Sequence, residues 1–145
     1  MTFRNRFLFI VFIIISIVGL IQQWRNHNKT IDEYDTPKIL SGVQETLLLQ
    51  HIKRNCECAD WVKFGSYPDT AKINEEDFLF IEPATADLDV PATYWALADS
   101  GYALRVQGEF YKGKAIPNNY TPNTDLKPAL ARVFYYTSCE VVKPE

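Results

Sequence analysis

The chain has 145 residues, the size of one domain, and its 15 basic and 18 acidic side chains give a formal charge of −3 at neutral pH. All 18 acids but only 13 of the bases lie beyond residue 24, so that part carries −5. This argues against a nucleic-acid partner, whose binding rests on a basic surface.

Residues 7–21, FLFIVFIIISIVGLI, contain no charge, and only Ser16 and Gly19 interrupt the large apolar side chains. A membrane-spanning helix needs about 20 apolar residues and a signal-peptide core about 7 to 15, so the run lies between the two. Gln22 and Gln23 are uncharged, and Trp24 is the kind of aromatic that sits at a headgroup boundary, which extends the run to a spanning length. Arg4 and Arg6 would flank it on the other side. The small residues that cleavage requires are poorly matched. The expectation is therefore an uncleaved signal anchor over residues 1–24, holding the chain in the membrane through residues 7–21. A cleaved secretory signal and a buried soluble helix are the alternatives. Basic residues on the two sides are balanced, with Arg25 and Lys29 following the run. A short N-terminus before a long domain places the C-terminal domain outside the cytoplasm, in a bacterial envelope.

Residues 25–38, RNHNKTIDEYDTPK, are polar and without apolar period, and they read as a linker. Residues 39–145 are the expected extracytoplasmic β domain. In residues 39–54, Leu40, Val43, Leu47, Leu48 and Ile52 follow helical spacing among good helix formers, which favours a helix. A strand through Leu47, Leu48 and Leu49, with Gly42 at a bulge, is the competitor.

The next stretch, CECADWVKF, predicts a strand toward Val62 and Phe64, with Cys56 and Cys58 on the same side. DFLFIE over residues 77–82 predicts a strand buried on both faces, ended by Pro83. A connection with one helical turn at residues 93–99 follows. The strand at 102–111 alternates apolar and polar residues, and Gly108 within it marks a bulge or a close backbone approach. After a loop at 112–127, the last strand at 129–142 is predicted to point Ala131, Val133, Tyr135, Thr137, Cys139 and Val141 to the core. The sum is a mainly β fold: a small antiparallel barrel or sandwich of about five strands, compatible with an OB-like barrel, behind an N-terminal transmembrane helix.

Cys56-x-Cys58-x-x-Trp61, the strand end Ile81-Glu82-Pro83-Ala84, Gly108-x-Phe110-Tyr111 followed by Pro117, and the Tyr-rich last strand together resemble uncharacterised small exported or membrane-anchored bacterial domains. The resemblance covers residues 56–142 and implies compartment and fold, without an activity.

In an oxidising compartment pairing is the default for thiols, and three cysteines leave one over. A bond from Cys56 or Cys58 to Cys139 would close a long loop, for which the chain-entropy model gives roughly 4 to 5 kcal/mol. A Cys56–Cys58 bond would close a very tight ring. Reduced, buried cysteines are a further alternative. His51, Cys56, Cys58 and Cys139 also have the donor types for Zn or Cu(I), although Cys-x-Cys is poor zinc spacing. Only two histidines are present, His27 and His51, and neither lies near a Gly-x-Ser-x-Gly turn, so hydrolase triads are disfavoured. Lys112, Lys114, Tyr120 and Lys127 are the candidate binding-loop residues, since loops on a rigid scaffold commonly carry ligand contacts. The expected function is a non-enzymatic envelope module that binds an unknown protein or small ligand and needs no cofactor. A thiol-redox or metal-handling protein built on Cys56, Cys58 and Cys139 is the alternative.

Overall fold

The structure, a computed structural model, describes residues 38–66 and 73–144, together with Ile17. Contacts divide the chain into Met1–Thr36 and Pro37–Glu145, and the elements below belong to the second unit. The expected anchor but for Ile17, with Arg4, Arg6 and Trp24, and all of the linker but Lys38 lie outside the described residues. Among the described residues no helix is long and apolar enough to cross a membrane.

Five strands carry the fold: β1 (Glu45–His51), β2 (Trp61–Lys63), β3 (Leu79–Pro83), β4 (Ala103–Phe110) and β5 (Arg132–Val142). One helix, α1 (Ala92–Leu97), stands between β3 and β4. The strands are ordered β1-β2-β3-β5-β4, and β4 pairs with β1 again, so the mixed sheet closes in a ring. Four of the pairings are antiparallel; β3 and β5 run parallel, Leu79 opposite Arg132. An all-antiparallel sheet is thus corrected at one joint. The connection from β3 through α1 and β4 returns the chain to β3 in the same direction, which no alternation pattern reveals.

The helix favoured over residues 39–54 is also corrected, because Glu45–His51 is strand. Leu47 and Leu49 point into the core, at 5% and 0% exposure, while β2 and β4 hydrogen-bond to the two edges of β1. Tertiary pairing overrides the helical preference of Glu45 and Gln50. Gly42, with φ of 78°, turns the chain into β1.

Side chains from all five strands converge on the inside of the ring, where Leu47, Leu49, Trp61, Leu79, Leu104, Val106, Phe134 and Tyr136 form the inner core. Tyr94 of α1 completes it: the backbone N–H of His51 donates to its hydroxyl at 2.8 Å, and the Tyr136 hydroxyl donates to Leu88 O at 2.7 Å. A second, outer core joins Val62, Phe78, Phe80 and Val133 to Ala59 and Ala115, which come from the connections 52–60 and 111–131.

One β-bulge decides which residues of β5 face which core. Gln107 is opposite Ser138 but Gly108 is opposite Tyr136, so Thr137 has no partner across the ladder. The alternation reverses there. Phe134 and Tyr136 before the bulge and Cys139 and Val141 after it belong to the inner core, whereas Val133 and Ala131 belong to the outer one. The single core face expected through Ala131, Val133, Tyr135, Thr137, Cys139 and Val141 therefore holds only beyond the bulge. Gly108 is both of the things its position suggested, a bulge and a close approach.

Candidate functional site

Among the described residues two charged side chains are buried, Glu57 at 9% and Glu82 at 4% exposure, and both bind the long β4–β5 connection, residues 111–131. Glu57 sits at the tip of the β1–β2 connection, between Cys56 and Cys58, whose Cα atoms are 5.4 Å apart and whose sulfurs are paired. Its carboxylate accepts the hydroxyl of Tyr120 and, at 2.8 Å, the N–H of Asn123. The Ala129 N–H donates to Glu57 O at 3.0 Å. The Tyr120 hydroxyl, foremost among these groups, holds the Glu57 carboxyl below its usual range.

Glu82 ends the apolar run of β3. It accepts the side-chain amide of Asn118 at 2.6 Å and the Asn118 N–H at 3.1 Å, with the Lys38 ammonium 3.9 Å away. Lys38 in turn donates to Asn118 Oδ1 at 2.5 Å. Burial, and then the charge of Glu82 and the hydrogen bond to it, push the Tyr111 hydroxyl up to about 12. Lys38, Glu82, Thr85, Tyr111, Asn118 and Tyr135 line a cavity of about 550 Å³. That volume lies within the range of small-molecule sites, and convergent polar groups against tyrosine rings are their usual equipment.

A smaller cavity, of about 200 Å³, shares Asn119 with the larger one and is also lined by Asp60, Trp61, Phe80, Ile81, Pro117 and Tyr120. Nearby, His51 Nε2 is 2.9 Å from Asp60 Oδ2, and the His51 ring meets Trp61 and Trp95 edge-on at 5.3 and 5.1 Å.

Compared with family models, with curated proteins and with solved structures, the chain matches none. The geometry of these residues is what bears on function.

The bond from Cys56 or Cys58 to Cys139 is not formed. Cys139 packs against the inner core opposite Val106, whereas Ala59, next to the Cys56–Cys58 turn, belongs to the outer core. Cys139 is a free, half-buried thiol, and burial, followed by the neighbouring Glu140, pushes it up to about 11. His51 is engaged with Asp60. Among the described residues no group of three or more His, Cys, Asp and Glu side chains is arranged to hold a metal ion, so His51, Cys56, Cys58 and Cys139 are not brought together as ligands. Of the four loop residues singled out, Tyr120 lines the smaller cavity, while Lys112, Lys114 and Lys127 are exposed and line neither.

Sequence reasoning missed Glu57, Glu82, Lys38 and Asn118. Glu82 had a signal: a carboxylate at the end of a strand apolar at four successive positions. Glu57 had none, because alternation through CECADW places it opposite the cysteines without saying which side is covered.

Proposed function

We propose that the chain is a membrane-anchored, extracytoplasmic and non-enzymatic binding module, and that its ring is an OB-like barrel holding a small neutral, hydroxyl-rich ligand such as a saccharide. The observation that carries this reading is Glu82, 4% exposed, in the wall of a cavity of about 550 Å³ beside Lys38, Tyr111 and Asn118. Lys38 and Glu82 oppose each other in charge, so an ionic ligand would bring in a charge without a counterpart, whereas hydroxyls can exchange hydrogen bonds with both. The strand order and the helix between β3 and β4 support the OB-like reading. OB folds bind oligonucleotides and oligosaccharides. A chain of formal charge −3 favours the second class. This step from fold to ligand is analogy, and the cavity chemistry supports it separately.

The test is calorimetric titration of the purified full chain, in a maltoside-free detergent, with neutral and acidic oligosaccharides. A neutral sugar is expected to bind, and the Glu82→Gln variant to bind it at least about tenfold more weakly, the scale of one lost charge-assisted hydrogen bond. No heat from any neutral sugar, or equal affinity in the variant, would sink the reading. A periplasm-dependent reporter fused after residue 145 is expected to be active; activity of a cytoplasmic reporter instead would remove the envelope assignment.

The Cys56–Cys58 pair favours a second reading, thiol–disulfide exchange. Equilibration against glutathione buffers distinguishes it: a redox protein cycles between one disulfide and three thiols, and a structural pair stays oxidised.

A further inference from the structure

We propose that the smaller cavity is a second binding site, separate from the Glu82 cavity, and that it takes a small organic ammonium ion. β2 and β3 share the single pair Trp61 and Leu79. One step past it, Asp60 and Phe80 face the space where the strands part, and that space is the cavity of about 200 Å³. Its walls combine one carboxylate with three aromatic rings, Trp61, Phe80 and Tyr120, the last two packed edge-on at 5.3 Å. Aromatic faces attract cations, most strongly where water is excluded.

Asp60 supplies the one carboxylate among the residues lining the cavity. Its Oδ2 lies 2.9 Å from His51 Nε2, and His51 itself is not part of the lining. None of the residues lining the cavity is basic. The Tyr120 hydroxyl in the wall is pushed up to about 12, first by burial, then by its bond to Glu57 and the charge of Glu57, and last by the charge of Asp60. Elsewhere the chain completes the same combination with its own side chain. Arg54 lies 4.0 Å over the Phe78 ring and 2.5 Å from a Glu75 oxygen. In the cavity the ring and the carboxylate come from the protein and the cation comes from the ligand.

A metal ion is disfavoured because Asp60 is the one carboxylate in the lining and no His or Cys stands beside it there. The volume restricts the ligand to a single ammonium group, either of a free amine or of a lipid headgroup.

The experiment titrates the full chain with tetramethylammonium chloride, against sodium chloride at equal ionic strength, and follows the tryptophan indole signals by NMR. A saturable shift of the Trp61 signal is expected with tetramethylammonium alone. Asp60→Asn should weaken it about threefold to tenfold, the order expected for losing a partly exposed charge partner. Thr121→Trp, at the exposed rim, should abolish it without unfolding the protein, and Glu140→Gln, on an exposed ion pair of β5, should leave it unchanged. If Asp60→Asn fails to fold by circular dichroism, Thr121→Trp decides. An equal shift with sodium, no saturation, or full binding in both cavity variants overturns the site. Choline and phosphocholine then distinguish the sources: binding of both supports a headgroup, binding of choline alone supports a free amine, and binding of neither overturns the proposal. Failure of the saccharide titration at Glu82 leaves this result untouched, since the two cavities share only Asn119 and hold different carboxylates, Glu82 and Asp60.

Discussion

A Cβ on Gly108 would lie 2.0 Å from the carbonyl oxygen of Tyr135 and 2.7 Å from Tyr136 Cα. Both contacts are backbone, so no rotamer change can relieve them, and β4 and β5 would have to part beside Thr137, which the ladder leaves unpaired. Gly108→Ala is expected to destabilise the domain by about 3 kcal/mol, the upper range for overpacking. Urea unfolding followed by tryptophan fluorescence measures this, and a loss below about 1 kcal/mol would show that the strands yield easily. Gly108 was legible in the sequence because a glycine inside an alternating strand weakens it, and a bulge or a close backbone approach is what such a glycine commonly marks. Glu57 was not. Its burial depends on residues 120 and 123, which fold over it from a connection whose path no local pattern specifies.

At the scale of elements, the connection 111–131 is an ordered layer held by two carboxylates. Glu82 binds it at Asn118 and Glu57 at Tyr120 and Asn123, while Ala115 and Tyr120 pack on the outer core. The Glu57 carboxyl titrates below its ordinary value of 4.5, so its contribution is present above that value and is lost as pH falls through the lower folded value. Amide signals of Asn123 and its neighbours are expected to shift with a midpoint below 4.5, and Glu57→Gln should remove that titration. A midpoint at or above 4.5 would contradict the hydrogen bonding described.

Elements also differ in how far local pattern can define them. Three consecutive leucines at 47–49 satisfy helical and strand periods alike, so pattern could not choose for β1, whereas β4 alternates over a longer stretch and left one choice. In β5 the alternation was real but changes phase at Thr137, and a bulge in one strand is set by the glycine of its partner.

For the molecule as a whole, the cysteines contribute less to stability than a long-loop bond to Cys139 would have. A Cys56–Cys58 bond spans a sequence separation of 2, and the chain-entropy model gives such a short loop only about 1.5 kcal/mol. Reduction is expected to lower Tm by less than about 10 °C, read by differential scanning calorimetry with and without a phosphine reductant. A larger drop would mean that the turn placing Glu57 depends on the pair. The mainly β class, the strand number and the location of most strands could be read from alternation and from Pro and Gly punctuation. The two cavities could not, because each draws its wall from at least three separate parts of the chain.

The parallel joint between β3 and β5 also bears on how quickly the ring can assemble. Leu79 meets Arg132 across the sheet, and β1 meets β4 with Glu45 opposite Gly108, so the two joints that close the ring both link positions far apart in the chain. Each loses loop entropy before its ladder can form. High contact order of this kind places folding in the millisecond-to-second regime. Until the β3–β5 joint closes, β3 and β5 expose unpaired edges next to Phe80 and Val133. During biosynthesis the chain must therefore wait for β5, its last strand, before those edges are protected.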